Sequence, residues 1–395
     1  MLDVQEALAT ILLECRSYGS ESVFLERCVG RLLAEEAITD RDAPPFDRVA
    51  MDGIAIMLGN IDNPLLPFYT IQGTQAAGMP QETLKGKNYC LEVMTGAVLP
   101  ARADTVIPYE ALRIIDGKAY PTNSCATRSN IHYQGTDALK GSTVLSAGKK
   151  LGAGDIGILA TLGKWKVKVA KMPKVAVIAT GNELVEVNEK PESYQIRKSN
   201  VYTIEAALLQ DGIQPTMYHL PDTWDLLVQK LPAIISDHDV LLFSGGISKG
   251  KYDLIPKVLA FLGIRKHFQC VAQKPGKPFL FGKHPTAGTL VFAFPGNPVS
   301  TFVGYHYYFR QWLYRSMGSP LCFPLKYLTG PFATDKNLSL FIPVMLDPAT
   351  GEPTPLSSNG SGDLFSLAKT QGFVLVSKSG AETSSPGPFP FIEVV

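Results

Sequence analysis

Residues 239–257 read DVLLFSGGISKGKYDLIPK, and three features of this stretch indicate the class of fold. An apolar run, Val240–Phe243, is typical of a buried strand, and a loop of glycines and lysines follows it. A helical pattern begins at Asp253. Strand, glycine loop and helix in this order predict one unit of a parallel sheet with a ligand-binding loop at the carboxyl end of the strand.

The glycine loop partly matches a known phosphate-binding motif. The spacing of Gly245, Gly250 and Lys251 fits the nucleotide-binding P-loop up to its last position. Tyr252 stands where a P-loop has a serine or threonine hydroxyl that holds Mg²⁺. Two interpretations are open at this point, a damaged ATP site or a phosphate loop for another ligand.

The same alternation of strand and helix continues on both sides of this stretch. Strands are predicted at KVAVIAT (174–180), near 216–220, and at DVLLFS, FQCVAQ, FLFG and TLVFAF; helices are predicted at SNVYTIEAALLQDG, near 222–236, and at DLIPKVLAFLG and PVSTFVGYHYYFRQWLY. Strands that alternate with helices predict an α/β domain with a doubly wound, mostly parallel sheet covered on both faces. Such sheets bind ligands at the carboxyl ends of their strands.

Further elements are predicted outside this α/β domain. Residues 3–14 have the pattern of a helix that Asp3 and Glu6 cap, and a second helical stretch is expected at Leu25–Ala37. Residues 151–163 return to a helical pattern that ends at a glycine.

The remaining sequence predicts β-structure, so the chain is a multidomain α/β plus all-β protein. Short apolar runs between turn signals predict an inserted β-domain, and proline-rich β-like sequence predicts a small C-terminal barrel or sandwich. The expected domains are a helical linker region at 1–40 and 138–170, an inserted β-domain at 41–137, the α/β domain at 171–318 and a C-terminal β-barrel at 319–395.

Composition limits the functions to consider. The chain has 395 residues, 45% of them hydrophobic and 18% charged, as expected for a globular protein of several domains. The net charge of +1 gives no electrostatic argument for a nucleic acid or an anionic membrane as partner. The six cysteines form no CxxC pair and no apolar run reaches membrane-spanning length, so a cytoplasmic protein with free thiols is expected.

Four loops of the α/β domain follow or join predicted strands: ATGNE (179–183), SGGISKGKYD (244–253), QKPGKPF (273–279) and PGNPVS (295–300). Glycine lets a backbone approach an anion closely, and Pro298 suits the first position of a helix. Loops at equivalent sheet edges predict a shared anion site with Lys274 and Lys277 as oxyanion contacts. The alternative is that the loops are ordinary turns and that the lysines point into solvent. This alternative also stays open for Lys249 and Lys251.

Carboxylates recur in or beside loops. Glu183 ends ATGNE, Asp253 opens the helix after the glycine loop, Asp52 precedes a glycine in PPFDRVAMDG, and Asp137 lies in QGTDALKG. Phosphate chemistry with Mg²⁺ needs hard oxygen ligands beside the phosphates. Asp253 could instead cap its helix and Asp137 could be a turn residue, so each has two interpretations.

The quoted loops, taken in chain order with MTGAVLPARADTVIPYE and the late GSGDLFSLA (360–368), match a family. The sequence resembles molybdopterin molybdenumtransferase, called MoeA in bacteria and represented by the E domain of gephyrin. The resemblance implies an enzyme that cleaves the phosphoanhydride of adenylylated molybdopterin and inserts molybdate, giving molybdenum cofactor and AMP. It also implies a Mg²⁺-dependent, elongated homodimer and the molybdopterin adenylyltransferase as a partner protein.

The resemblance also implies roles for single residues. Asp52, Asp137, Glu183 and Asp253 are the implied catalytic acids, and Asp52, Glu183 and Asp253 the implied metal ligands. The implied substrate contacts are Thr95, Gly96, Thr180, Gly181, Ser244, Gly245, Gly246, Ser248, Lys274, Lys277, Pro295, Asn297 and Pro298. In the implied homodimer, each site takes Asp52 from one chain and Glu183, Asp253 and the lysines from its partner.

The sequence departs from the family pattern at Val49, Ile54, Asn182 and His132, where the family usually has a serine, an aromatic residue, an acid and a basic residue. We expect a divergent but working transferase, because the four acids are present. The alternatives are a non-catalytic scaffold that binds molybdopterin or a protein partner, and a P-loop ATPase. The acids disfavour the scaffold, and the missing hydroxyl at position 252 disfavours the ATPase.

Overall fold

The computed structural model describes residues 1–59, 64–123, 125–247, 254–329, 331–378 and 388–394. The chain forms two compact units. The α/β unit comprises Met1–Ala34, Gly148–Ile156 and Lys166–Val395, and the β unit comprises Glu35–Ala147 and Gly157–Trp165. The division into four domains that the sequence suggests stays a prediction.

In the described part of the chain, the helices are α1 (Val4–Leu12), α2 (Ala153–Thr161), α3 (Asn200–Gln210), α4 (Trp224–Asp237), α5 (Ile255–Phe261), α6 (Pro298–Gly304) and α7 (Arg310–Ser316). A π-helical turn, Tyr305–Phe309, joins α6 to α7, and 3₁₀ turns occur at Leu25–Arg27, Tyr109–Ala111 and Leu364–Ala368.

The first strands in chain order are β1 (Ser20–Phe24), β2 (Ala37–Ile38), β3 (Arg48–Val49), β4 (Gly53–Ile56), β5 (Tyr69–Gln75), β6 (Tyr89–Val93), β7 (Thr105–Pro108), β8 (Leu112–Ile115), β9 (Lys118–Pro121), β10 (Ile131–His132), β11 (Thr143–Leu145), β12 (Lys166–Ala170) and β13 (Val175–Thr180). They are followed by β14 (Leu184–Val185), β15 (Ile196–Arg197), β16 (Thr216–Leu220), β17 (Val240–Ser244), β18 (Arg265–Cys270), β19 (Gln273–Lys274), β20 (Pro278–Lys283), β21 (Leu290–Phe294), β22 (Leu325–Tyr327), β23 (Ser339–Leu346), β24 (Pro353–Pro355), β25 (Gly372–Val376) and β26 (Pro388–Glu393).

The α/β unit is built on a six-stranded sheet in the order β16-β13-β17-β21-β20-β18. The first four strands are parallel; β20 pairs antiparallel with β21, and β18 pairs antiparallel with β20. Alternate residues of β13 enter different cores, since Val175 and Val177 pack in one and Ala176 and Ile178 pack in the other. Burial of both faces confirms the predicted doubly wound, mostly parallel sheet.

The N-terminal helix α1 forms as predicted. The backbone N–H of Glu6 donates to Asp3 Oδ1 at 2.8 Å, and the N–H of Asp3 donates to Glu6 Oε2 at 2.9 Å. These reciprocal bonds satisfy two donors at the helix start. Val4, Ala7 and Ile11 are buried on one face, as the spacing of apolar residues predicts.

The prediction of a second helix at Leu25–Ala37 is wrong. The chain forms only the 3₁₀ turn Leu25–Arg27, and Gly30 then adopts a φ of +78°. Leu32 and Leu33 follow in extended bridges and are both buried. The positive φ of the glycine ends the helical conformation, and the paired leucines pack from extended backbone instead.

A further six-stranded sheet of the α/β unit lies mostly beyond α7, in the order β19-β23-β25-β26-β22 with β24 paired to β23. Leu340, Val344 and Val374 are buried in its core. Its edge strand β19 comes from the segment between β18 and β20 of the central sheet and pairs in parallel with β23. The predicted β-structure after residue 319 is confirmed as a sheet, and its closure into a barrel stays a prediction.

The β unit contains a six-stranded sheet in the order β7-β4-β6-β5-β9-β8. Strands β5 and β6 are parallel, and the other pairs are antiparallel. The β-like runs predicted here, FYTIQG, NYCLEVMTG, DTVIPYEALRII and KAYPT, overlap β5, β6, β7 with β8, and β9, which confirms the β prediction for this region; the 3₁₀ turn Tyr109–Ala111 interrupts the third run.

Among the helices of the described residues, none combines the length and apolar character that a membrane crossing requires.

Candidate active site

Three parallel strands of the central sheet end side by side, β13 at Thr180, β17 at Ser244 and β21 at Phe294. The N–H of Gly245 donates to the carbonyl oxygen of Phe294 at 3.1 Å. A β-carbon on Gly245, whose φ is +102°, would lie 2.7 Å from the carbonyl oxygen of Thr180. Only glycine permits this approach, so the structure brings the predicted contacts Thr180, Ser244 and Gly245 together at one sheet edge.

Asn200, the first residue of α3, links two of these loops. Its Nδ2 donates to Ser244 Oγ at 2.9 Å and to the carbonyl oxygen of Gly296 at 2.7 Å. Asn200 Oδ1 and Thr180 Oγ1 are buried without a hydrogen-bond partner in the described residues. Buried polar atoms are normally paired, so both atoms suit a ligand or a bound water. Asn200 was not predicted as a site residue, although Ser-Asn at the start of a predicted helix is a signal for a polar loop contact.

The KPGKP loop lies at the same edge, between the antiparallel strands β18 and β20. Gln273 Nε2 donates to the carbonyl oxygens of Pro275 and Gly276 at 3.0 and 3.2 Å. The loop was expected to join two strands of one sheet, which is confirmed, but Lys274 itself pairs with β23 of the C-terminal sheet. Lys274 and Lys277 are exposed, which leaves both ammonium groups accessible to an anion.

The PGNP loop is held to the C-terminal sheet region. Asn297 Nδ2 donates to Ser361 Oγ at 2.7 Å, and the N–H of Val299 donates to the carbonyl oxygen of Ser361 at 3.1 Å. Thr301 Oγ1 donates back to the carbonyl oxygen of Pro295 at 2.6 Å. Ser361 is a further residue of this loop contact that was not predicted, although it lies in the GSGDLFSLA motif.

A cavity of about 870 Å³ lies between these loops and the C-terminal sheet. Its lining residues are 273–278, 295–297, 299–300, 331–333, 338, 340–343, 355–358 and 360–361. Lys274, Lys277 and Asn297 are thus in the cavity wall, whereas Thr180, Ser244 and Gly245 are not. Gly296 connects the two groups, because it lines the cavity and a β-carbon on it would lie 3.9 Å from Gly245 Cα.

The loop after β13 carries Glu183. Its carboxylate oxygens lie 2.6 and 2.8 Å from the point that a β-carbon on Gly181 would occupy. Beside it, Asn182 Oδ1 accepts a hydrogen bond from the N–H of Asp222 at 3.1 Å. Gly246 also approaches β13, since its β-carbon position is 2.8 Å from Thr180 Oγ1. The predicted residues Ser248 and Asp253, with Lys249, Lys251 and Tyr252, lie outside the described residues.

Asp52 lies in the β unit just before β4. Its Oδ1 accepts hydrogen bonds from the backbone N–H of Thr95 at 2.6 Å and from Thr95 Oγ1 at 2.8 Å. The backbone bond and the hydroxyl bond together lower the pKa of the Asp52 carboxyl, because both stabilise its ionised form. The neighbouring Gly96 has a φ of +86°. The predicted pair Asp52 and Thr95 is therefore brought together around an ionised carboxylate.

Asp137 is the end of a hydrogen-bonded chain in the β unit. Its Oδ1 lies 2.9 Å from His132 Nε2, and His132 Nδ1 lies 2.9 Å from Arg48 Nη2. Asp137 is thus more than a free turn residue. Arg48 was not predicted as a site residue, although it stands within PPFDRVAMDG.

Comparison with known proteins identifies the family. Residues 2–163 match the "MoeA N-terminal region (domain I and II)", and residues 176–315 match the "Probable molybdopterin binding domain". A protein of Synechocystis sp. named "Molybdopterin molybdenumtransferase" is 36% identical over 397 residues, covering 99% of this chain and 99% of that protein. The chain belongs to the molybdopterin molybdenumtransferase family.

Two more comparisons agree with this family assignment. A molybdopterin molybdenumtransferase of Staphylococcus epidermidis is 32% identical over 332 residues, covering 82% of this chain and 78% of that protein. The crystal structure of a "molybdopterin biosynthesis moea protein" from Pyrococcus horikoshii superimposes with a TM-score of 0.79 at 27% identity, covering 100% of this chain and 99% of that one. The predicted family and the mixed, sheet-rich multidomain fold are confirmed.

The departures from the molybdopterin molybdenumtransferase pattern have structural explanations. Val49 and Ile54 are fully buried in the cores of the β unit, where apolar side chains pack. Asn182 holds the loop after β13 through its bond to Asp222. His132 retains a polar contact to Asp137, although the family usually has another basic residue there.

Proposed function

We propose that this chain inserts molybdate into adenylylated molybdopterin, cleaves the phosphoanhydride and releases molybdenum cofactor and AMP. That the chain is a transferase of molybdenum cofactor biosynthesis follows from its family. The observation that carries the finer proposal is the cavity of about 870 Å³, with two lysines in its wall and the glycine loops beside it. Cavities of this order suit a ligand the size of a pterin nucleotide, since small-molecule sites span roughly 300–1,000 Å³.

The chemistry of the loops supports a phosphorylated, anionic substrate. Lys274 and Lys277 are exposed donors in the cavity wall and can bind phosphate or molybdate oxygens. Gly245 and Gly246 place backbone at the sheet edge without side chains that would block an anion. We assign the pterin phosphates to this edge and the lysines to the oxyanions.

Mg²⁺ is the proposed cofactor of this chemistry. It prefers hard oxygen ligands and is usually held by one or two carboxylates together with substrate phosphates. The Glu183 carboxylate, placed against Gly181 at the sheet edge, fits that donor set, and Asp253 is the second proposed ligand from this part of the chain. When bound, the ion would neutralise charge on the phosphoanhydride.

Asp52 is the third proposed metal ligand. Both hydrogen bonds from Thr95 go to Oδ1, which leaves Oδ2, unbonded within the described part of the chain, available for a cation. The lowered pKa keeps this carboxyl ionised at neutral pH, as a cation ligand must be. Asp137 is proposed as a further acid of the same reaction, without a metal.

The test is to incubate the purified protein with adenylylated molybdopterin, molybdate and Mg²⁺. AMP and active cofactor should appear in equal amounts. Lys277→Met should raise KM at least about tenfold by removing one charged contact, whereas the matched control Lys230→Met, on the exposed side of α4, should behave as wild type. Absence of AMP under these conditions would refute the proposal.

The alternatives predict different results. A non-catalytic scaffold would bind adenylylated molybdopterin but release no AMP. Asp253→Asn should keep pterin binding and the fold while abolishing AMP release, because asparagine can still cap a helix. A P-loop ATPase would release phosphate from free ATP and lose this activity on Lys251→Ala; we expect no hydrolysis of free ATP above background.

A further inference from the structure

Arg48, His132 and Asp137 form a linear arrangement of side chains in the β unit. Arg48 Nη2 lies 2.9 Å from His132 Nδ1, and His132 Nε2 lies 2.9 Å from Asp137 Oδ1. The imidazole is about one-third exposed, at 32%, and the carboxylate more than half exposed, at 57%. A guanidinium therefore contacts one nitrogen of the ring and a carboxylate contacts the other.

The donors and acceptors of this arrangement can be assigned from their chemistry. An arginine side chain carries only donors, so His132 Nδ1 must accept the bond from Arg48. A neutral imidazole with an unprotonated Nδ1 carries its proton on Nε2. This proton is then donated to Asp137 Oδ1. The bond from Arg48 thus selects one of the two neutral tautomers of His132.

Backbone pairing holds Arg48 in place. Arg48 and His132 are directly opposite each other in the antiparallel pair of β3 and β10. The next residue, Val49, donates its N–H to the carbonyl oxygen of Ala97 and accepts from the N–H of Gly96, both at 2.9 Å. The same segment continues to Asp52, so the strand that positions Arg48 also leads to the other proposed acid of this unit.

We infer that Arg48 is a positioning residue, which selects the His132 tautomer that orients the Asp137 carboxylate. The inference rests on the proposed function, in which Asp137 is an acid of the reaction. In the described residues, His132 is the hydrogen-bond partner of this carboxylate, so its orientation depends on the Nε2 proton. An arginine or lysine at position 132 would donate in any state, whereas a histidine donates only while Nε2 carries a proton, a state that the bond from Arg48 to Nδ1 favours.

The experiment combines a spectroscopic and a kinetic measurement on the full chain. Long-range ¹H–¹⁵N correlation on protein labelled in its six histidines reports the protonated ring nitrogen of His132, which His132→Asn assigns. Wild type should show the Nε2–H tautomer. Arg48→Met should allow Nδ1 to take a proton and lower kcat about tenfold at unchanged KM, as loss of an orienting hydrogen bond does.

Two further variants separate positioning from structure. Arg48→Met/His132→Arg should restore kcat to within about twofold of wild type, since an arginine at 132 needs no tautomer selection. Arg113→Met, at an exposed arginine of β8, is the matched control and should change neither the tautomer nor kcat. Comparable unfolding midpoints for these proteins show that each one folds.

The inference is overturned if Arg48→Met keeps the wild-type tautomer, or if the tautomer changes while kcat does not. If wild type itself releases no AMP, the proposed function fails instead. The spectrum of Arg48→Met then still decides whether Arg48 sets the protonation of His132: a spectrum identical to that of wild type would refute it.

Discussion

The Asp52 carboxylate takes two hydrogen bonds from a single residue, Thr95. Thr95→Val removes the hydroxyl donor and keeps the backbone donor. The pKa of Asp52 should rise toward its ordinary value of about 3.9 without reaching it. A ¹³C-carboxyl NMR titration measures this, with the exposed Thr122→Val as the control that leaves the pKa of Asp52 unchanged.

This shift also fixes the sign of a pH effect on stability. A carboxyl whose pKa is lowered by folding stabilises the fold above the ordinary Asp pKa, and the contribution is lost as the pH falls through the folded-state pKa. Thr95→Val should therefore be less stable than wild type near pH 6. The ionisation part of that difference should disappear in acid below both pKa values.

Gly53 is a residue at which a single added atom, a β-carbon, would disrupt the structure. A β-carbon there would lie 2.8 Å from both Ile107 C and Pro108 Cα, and it would overlap Ile107 O. Gly53→Ala must push β4 and β7 apart, so we expect a loss of about 3 kcal/mol or more in the free energy of unfolding. Urea denaturation measures it. Gly157→Ala, in α2 with open space around it, should instead gain about 0.5–1 kcal/mol.

Residues that stand inside dense motifs were predictable from the sequence, whereas residues whose hydrogen-bond partners are distant along the chain were not. Asp52 was found because AMDG surrounds it. Asn200 and Ser361 were missed because their partners, Gly296 and Asn297, lie 96 and 64 residues away. Only folding brings such pairs together. Arg48 was missed for the same reason, since its partner is 84 residues distant.

Asp211, at the end of α3, connects that helix to the π-helical turn and α7. It is 2% exposed and accepts from Arg310 Nε at 2.9 Å, Arg310 Nη2 at 3.0 Å, Tyr305 Oη at 3.0 Å and Tyr314 Oη at 2.8 Å. Asp211→Asn leaves a largely buried guanidinium without its counter-charge, so about 3–5 kcal/mol of stability should be lost.

Thermal or urea unfolding checks this expectation. Asp237→Asn, at the exposed C-terminal end of α4, is the matched control and should change the free energy of unfolding by less than about 0.5 kcal/mol. Equal stability of the two variants would mean that the Asp211 network contributes nothing net to the fold.

Among the elements, long apolar runs were predictable and short pairings were not. The run DVLLF forms a strand that is buried along its whole length, as an unbroken apolar run predicts. The two residues of β19 are too few to show any period, and their partner strand β23 begins at Ser339. The apolar residues of Leu25–Ala37 fit a helix equally well, and only the conformation of Gly30 excludes it.

For the whole molecule, the resemblance implies a homodimer in which each site takes acids from both chains. Asp52→Ala dimers mixed with Asp253→Ala dimers should then recover activity that neither parent dimer has. A mixed dimer holds one site with both changes and one with neither, so it should reach about half of the wild-type rate. If subunit exchange is demonstrated and activity stays absent, each site is built within one chain.

The bonds from Asn297 and Val299 to Ser361 give the cavity two walls that are remote in sequence. A ligand held between the KPGKP and PGNP loops on one side and residues 355–361 on the other acts as a non-covalent cross-link between the central sheet and the last quarter of the chain. A bound ligand should therefore slow proteolysis. Cleavage sites that are accessible only when the C-terminal sheet detaches become exposed less often as the substrate concentration rises. The abundance of the protein in a cell would thereby follow the supply of its own substrate.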